Sequence, residues 1–207
     1  MNSTFFITGI GTEVGKTMIS AIVTEALEAD YFKPVQAGDL DYSDTDKVKT
    51  MVSNSKTHFF KNAFALNTPM SPHAAAAIDD IEISLNQIKR PHTQNALVIE
   101  GAGGLLVPLN SSDCIIDLIE NTDKIILVSR HYLGSINHTL LSVEALKNRG
   151  FSSIGIIFSG DEHPTTESII LEKTQLPFIG RIHEEKEFTK AVVSKYAKAL
   201  KHNLEKL

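Results

Sequence analysis

Near its start the chain reads Thr8-Gly9-Ile10-Gly11-Thr12-Glu13-Val14-Gly15-Lys16-Thr17. These residue types suit one task, gripping a polyphosphate. Glycines let the main chain curl so that successive N–H groups converge on phosphate oxygens. A helix starting after such a loop adds roughly half a positive charge at its N-terminus. Lys16 is then placed to bind the β- and γ-phosphates, and the Thr17 hydroxyl to bind Mg²⁺. The spacing departs from the usual phosphate loop. Gly9 and Gly15 enclose five residues, and Ile10 stands where the first glycine of the shorter pattern would fall.

A site of this kind needs carboxylates to hold the metal. Glu100 ends the apolar run Ala96-Leu97-Val98-Ile99 and is followed by Gly101-Ala102-Gly103-Gly104. A carboxylate at the C-terminal end of a buried strand faces the ligand crevice of an α/β sheet. The glycines beside it suggest a close approach to the backbone. A second carboxylate belongs to the cluster Asp39, Asp41, Asp44 and Asp46. Spacing alone leaves Asp44 and Asp46 open, with Asp44 also suited to cap the helix that follows. Lys33 stands in an apolar segment before Pro34. Lysine is rarely buried without a partner. It is either an edge lysine with its head in water or a cation pointed at an anionic intermediate.

Short apolar runs and helical periodicity position these residues. Phe5–Thr8, Tyr31–Val35, Ala96–Ile99, Ile125–Val128 and Ser153–Phe158 read as strands. The proline in the second favours a strand end. Met18, Ile19, Ile22, Val23, Ala26 and Leu27 recur with helical spacing, and further helices are expected near 44–53, 71–78, 114–120, 136–148, 165–174 and 187–204. Ser71-Pro72 has the form of an N-cap followed by proline at the first helical position. Strands apolar on both faces and separated by helices predict an α/β fold, a parallel sheet covered on both sides. The stretch 39–70 is the most irregular and reads as an insertion at the mouth of the sheet.

The 207 residues suggest one domain, 1–207. A chain of that length buries roughly 70% of the surface it would expose unfolded, so neither disulfides nor a structural metal are needed. The formal net charge of −5 argues against nucleic acid as a partner. Cys114 is the only cysteine, which fits a reducing, cytoplasmic setting. Its apolar neighbours make it a packed side chain. The N-terminal residues lack a cationic start and a long apolar core, so no leader or anchor is expected. No run reaches the ~18 apolar residues of a membrane span.

Several motifs together resemble dethiobiotin synthetases. The loop Gly9–Thr17, with its extra residue and Thr12-Glu13-Val14 core, is similar to that family's phosphate loop. Lys33-Pro34-Val35, Ser71-Pro72-His73, Glu100-Gly101-Ala102-Gly103-Gly104 and Gly134-Ser135-Ile136-Asn137-His138 resemble its later elements, in family order, from about residue 4 to about residue 180.

The resemblance implies a P-loop NTPase fold of three layers, with a mostly parallel central sheet flanked by helices. It implies an ATP-dependent cyclo-ligase of biotin biosynthesis acting on 7,8-diaminononanoate and CO₂ through a carbamate and a carbamic–phosphoric mixed anhydride. ATP is the co-substrate and Mg²⁺ the cofactor. Carried over by motif, Lys33, Lys16 and Thr12 are catalytic. Thr12, Glu13, Val14, Gly15, Lys16, Thr17, Met18, Glu100, Gly101, Gly103 and Ser159 bind the nucleotide. Thr17, Asp46 and Glu100 hold the metal. Glu13, Lys33, Ala37, Gly103, Gly134, Ser135, Ile136 and Asn137 bind the substrate, the last four across a homodimer interface where a helix start faces its carboxylate. His73 and His138 are expected to be structural.

Three positions depart from the family pattern. Ala37 stands where many relatives have a hydroxyl, a loss of roughly 1 kcal/mol for one hydrogen bond. Ser159-Gly160 stands where some relatives read adenine with asparagine, and His183 where proline is frequent. Other classes fit less well. A partition- or division-type switch ATPase has a signature lysine early in the loop, where this chain has Gly11. Its membrane-binding tail would be the amphipathic segment Glu187–Leu207, whose stripe Val192, Val193, Tyr196, Leu200 and Leu204 reads instead as a helix packed on the domain. A cobyrinate-type ligase needs a glutaminase domain for which there is no room. An idle nucleotide-binding module has no use for Lys16, Thr17, Glu100 and Lys33 together.

Overall fold

The computed structural model describes residues 3–207. Met1 and Asn2, the start of the segment expected not to be a leader, lie outside the described residues. In chain order the elements are β1 (Thr4–Gly9), α1 (Lys16–Leu27), β2 (Asp30–Phe32), β3 (Val35–Ala37), α2 (Asp44–Met51), β4 (Phe64–Leu66), α3 (Pro72–Ile78) and β5 (Leu97–Gly104). Then come β6 (Lys124–Arg130), α4 (Ser135–Asn148), β7 (Ile154–Ser159), α5 (Pro164–Thr174), β8 (Phe178–Ile182) and α6 (Lys190–Lys206).

Six strands form one sheet in the order β2-β5-β1-β6-β7-β8. Each neighbouring pair is parallel. Parallel neighbours need long crossovers, and α4 and α5 supply them for β6–β7 and β7–β8. Side chains alternate across the sheet with a period of two. Phe5 and Ile7 enter a core shared with Ile22 and Val23 of α1 and Leu200 and Leu204 of α6. Phe6, between them, enters the opposite core with Ile99, Ile115 and Leu146. This is the expected three-layer α/β fold, and it explains why the central strands read as apolar throughout.

The sequence of α6 shows its packing. Val193, Tyr196, Leu200 and Leu204 are buried against the domain, and a Cβ added at Gly180 of β8 would lie 2.1 Å from Leu200 Cδ2. The amphipathic stripe therefore faces the protein. Among the described residues no helix is long and apolar enough to cross a membrane.

Two local expectations change, and one strand of the main sheet is unanticipated. The strand expected over 31–35 is divided: β2 ends at Phe32, and β3 pairs with β4 in a separate two-stranded sheet. Pro34 has no N–H to give the main sheet, and its carbonyl accepts instead from Ala63 and Phe64. The segment 114–120 forms only a 3₁₀ turn over Ile115–Leu118, whose Asp117 carboxylate caps the Cys114 N–H. Cys114 itself is half-buried against the core. The edge strand β8 has no clear sequence signal, because Gly180 and Arg181 interrupt its apolar alternation.

Candidate active site

β1 ends at the switch point of the sheet, with β5 on one side and β6 on the other, where ligands of open α/β sheets bind. The loop that leaves it turns into α1 through Gly15, whose φ of 94° suits glycine. A side chain there would also strike Ser159, since an added Cβ would lie 2.9 Å from its Oγ. Val14 is buried and anchors the loop to the core, while Thr12 and Glu13 are exposed. Lys16 is 7% exposed, and its Nζ donates to the Gly11 carbonyl at 2.9 Å. Burial, reinforced by the charge of Lys33 and opposed by Glu100, pushes its pKa down to about 8.

Beside the loop lies a buried charge cluster. Glu100 Oε1 accepts from Thr17 Oγ1 at 2.9 Å and from Lys33 Nζ at 2.9 Å, while Oε2 accepts from the Tyr31 hydroxyl at 2.8 Å. Lys33 Nζ also lies 2.7 Å from Asp44 Oδ2. Burial works against the Lys33 charge, yet Glu100 and Asp44 outweigh it and hold its pKa above the usual lysine range. Burial likewise opposes the Asp44 charge, but Lys33 keeps that carboxyl below its usual range. Burial and the neighbouring Glu100 push the Tyr31 phenol well above its ordinary value. Lys16, Thr17, Lys33, Asp44 and Glu100 line a cleft of about 750 Å³ together with Gln36, Ala37, Lys47 and the Pro69–Pro72 segment, and Tyr31 supports Glu100 from behind it. A smaller pocket of about 260 Å³ adjoins it, lined by Gly15, Met18, Ser159 and the residues after β8.

The donor set suits magnesium. Thr17, Glu100 and Asp44 offer hard oxygens at one place, and the Lys33 ammonium lies within 2.9 Å of both carboxylates, where a cation is favoured. Among the described residues no cluster of three or more His, Cys, Asp or Glu could hold a metal. Mg²⁺ takes one or two carboxylates and completes its shell with phosphate and water.

A family model described as an AAA domain matches residues 3–192. The ATP-dependent dethiobiotin synthetase BioD of Christiangramia forsetii is 64% identical over 204 residues, covering 99% of each chain. The protein of the same name from Cytophaga hutchinsonii is 47% identical, covering 96% of this chain and 97% of its own. The chain belongs to the dethiobiotin synthetase family. Solved structures with the same fold include the cell-division ATPase MinD of Pyrococcus furiosus, with a TM-score of 0.62 at 14% identity and coverage of 100% and 99%. A ParA-family ATPase of Chlorobium tepidum gives 0.54 at 13% identity, covering 95% and 98%. These likenesses carry the fold alone, so the partition- and division-type ATPases share the scaffold and the sequence kinship lies with the synthetases.

Within this dethiobiotin synthetase fold, Thr12, Glu13, Gly15, Lys16, Thr17, Met18, Lys33, Ala37, Glu100 and Gly103 all line the cleft. Ser159 lines the smaller pocket. One expectation is corrected. Asp46 does not face the cleft: its Oδ2 accepts from the Ser43 N–H at 2.9 Å and the Ser43 hydroxyl at 2.6 Å, closing the capping box of α2. Asp44 is the carboxylate that turns inward, and Ser43, not Asp44, is the cap. Gly101 is not among the cleft-lining residues, and an added Cβ there would meet Ile115 and Phe6 at 3.1 and 3.2 Å, so its smallness also serves packing. Within one chain, Gly134, Ser135, Ile136 and Asn137 are absent from the cleft lining; they open α4, with Gly134 at its N-cap. His73 and His138 bond to Ser71 and Tyr132 respectively.

Sequence reasoning passed over Tyr31 and Gln36. Tyr31 lies two residues before Lys33, and both side chains reach Glu100, one by its hydroxyl and the other by its ammonium. Gln36 donates from Nε2 to the Gly38 carbonyl at 2.9 Å and accepts from the Asp44 N–H at 3.3 Å. It thus ties the turn after β3 to the start of α2.

The lowered Lys16 pKa predicts a pH effect. Only the charged amine matches a phosphate, and bound phosphate raises its pKa again. Affinity for Mg–ATP is therefore expected to be complete well below pH 8 and to fall by up to about tenfold per pH unit above it. Titration calorimetry across this range checks it. Lys16→Arg should remove the break, because arginine does not deprotonate in proteins, and a flat profile for the wild type would contradict the assignment.

Proposed function

We infer that this cleft carries out the ATP-dependent carboxylation and ring closure of 7,8-diaminononanoate to dethiobiotin. The observation that carries this reading is the meeting of a phosphate loop with a second buried lysine, Lys33, held between two carboxylates. A simple nucleotide switch has no need of that lysine. One substrate amine attacks CO₂ and loses a proton, giving a carbamate. A carbamate oxygen attacks the γ-phosphorus and ADP leaves, giving the mixed anhydride. The second amine attacks the carbonyl carbon, closes the five-membered ring and expels phosphate. The protein supplies position and charge, as phosphoryl transfer asks.

Lys16 and the loop N–H groups hold the triphosphate. Thr17, Glu100 and Asp44 would hold Mg²⁺, which would supply neutralisation of the polyphosphate charge. Lys33 faces the carbamate and the transferring phosphoryl group, with Thr12 near the γ-phosphate and Glu13 near the diamine. The nucleoside lies in the smaller pocket beside Ser159. We take residues 1–207 as one domain working in the cytoplasm, where a lone cysteine stays reduced. Phosphate release measured with and without 7,8-diaminononanoate plus bicarbonate tests the reading. Release should depend strongly on the diamine and accompany dethiobiotin formation, whereas diamine-independent release would identify a switch ATPase.

A homodimer completes the substrate site by bringing the Gly134–Asn137 turn of a second copy to the cleft. In support, Tyr132, Leu133, Ile136 and Leu141 are exposed at or near the start of α4, with Leu133 entirely so. Exposed large apolar groups of this kind mark an interaction surface. Sedimentation should find a dimer. Leu133→Asp should yield monomers whose KM for the diamine rises at least about tenfold, since several kcal/mol of contacts are lost, while ATP binding stays near normal. A fully active wild-type monomer would exclude the dimer.

A further inference from the structure

Arg130 ends β6, the strand beside β1, and lies outside the motifs of the phosphate loop. Its NH1 donates to the Glu13 carbonyl at 3.2 Å, and its NH2 pairs with Glu184 Oε1 at 2.7 Å. The guanidinium thus runs from the phosphate loop to the connection between β8 and α6. Arg130, Gly15 and Met18 are the three residues that line both the large cleft and the smaller pocket. Among the described residues lining the smaller pocket, Arg130 is the only lysine or arginine.

Gly15 and Met18 belong to the loop and the first turn of α1, whose N–H groups face phosphate. A nucleotide with its triphosphate in the cleft and its nucleoside in the smaller pocket must pass between that turn and Arg130. A planar guanidinium matches two phosphate oxygens at once. A carboxylate freed from it accepts hydrogen bonds from sugar hydroxyls. We propose that Arg130 and Glu184 form a clasp at the junction of the polyphosphate and the nucleoside, with Arg130 on the α-phosphate and Glu184 on the ribose. The proposal rests on the nucleoside lying in the smaller pocket. Arg130 and Glu184 are 44% and 63% exposed at their side chains. Such a pair adds little to stability, so variants should fold.

Calorimetry with Mg–ATP, Mg–ADP and Mg–tripolyphosphate separates the possibilities. Arg130→Ala should weaken all three at least tenfold. Arg130→Lys should recover only part of this, because it keeps the charge and loses the fork. Glu184→Gln should weaken ATP and ADP several-fold and leave tripolyphosphate within twofold. In turnover, the KM for ATP should rise in Arg130→Ala while kcat at saturating ATP and the KM for the diamine stay within about threefold. Full recovery by lysine would reduce Arg130 to a general charge and overturn the clasp. So would wild-type ATP affinity in Arg130→Ala, provided the wild type prefers ATP to tripolyphosphate. A wild type that binds the two equally would instead show that the nucleoside makes no contact, and the underlying placement would fall together with the clasp.

Discussion

Lys33→Met is expected to lower kcat on the order of 10³-fold, the loss typical of removing a main electrostatic stabiliser from a water-poor site. It should also lower stability. Lys33 is 4% exposed and holds Glu100 and Asp44 on either side of one ammonium. Methionine keeps the length and apolar stem but leaves the two carboxylates facing each other. Breaking a buried pair by removing one partner costs about 3–5 kcal/mol. Added Mg²⁺ should therefore restore more stability to the variant than it adds to the wild type, because the ion meets the same oxygens. Urea unfolding with and without Mg²⁺ gives this readout independently of turnover. Near-normal activity in Lys33→Met would remove the lysine from the mechanism.

Lys16→Ala should be equally damaging to turnover, about 10²–10³-fold or beyond, because the β- and γ-phosphates lose their charge partner. Its effect on stability should have the opposite sign. The Lys16 ammonium is buried with one carbonyl for a partner, and its pKa stands near 8 instead of 10.5. Below pH 8 the folded protein carries a charge it holds less well than the unfolded chain does, a difference of about 3 kcal/mol. Alanine relieves that cost and loses some buried methylene contacts, which offset part of it. The variant should unfold at pH 7 at a urea concentration equal to or above that of the wild type. As pH rises from about 8 toward 10.5 the wild type should gain stability relative to it, since the unfolded chain then binds more protons at this site. A marked fall in stability of Lys16→Ala at pH 7 would show that the amine is well paired in the free protein. Two lysines of one cleft thus have opposite signatures, one holding the ligand-free site together and one held ready for a ligand.

Much of this was legible in the residues themselves. The loop and Lys33 each follow a strand and Glu100 closes an apolar run before glycines, although β5 itself continues to Gly104, so local patterns mark all three without knowledge of the fold. The alternation of Phe5, Phe6 and Ile7 between two cores explains why a covered parallel sheet could be read from continuous apolar runs. What escaped depended on distant partners. Arg130 belongs to no motif, and its position matters only because β6 pairs with β1. Tyr31 reads as one more buried aromatic until β2 pairs with β5 and brings its hydroxyl to Glu100. The choice of Asp44 over Asp46 had a local signal that went unused. Ser43-Asp44-Thr45-Asp46 has the spacing of a capping box, with the acid at the third helical position committed to the cap. That leaves Asp44 free to turn toward Lys33. The division of β2 from β3 at Pro34 was half visible, since proline favours a strand end, but nothing local foretold a second sheet with β4.

The central claim is that this cleft phosphorylates a carbamate made from CO₂. Turnover with ¹⁸O-labelled CO₂, followed by mass spectrometry of the released phosphate, tests it most directly. The carbamate oxygen that attacks the γ-phosphorus leaves with the phosphate when the ring closes, so one labelled oxygen should appear in each phosphate released. Phosphate free of label, formed at the same rate as dethiobiotin, would contradict the account.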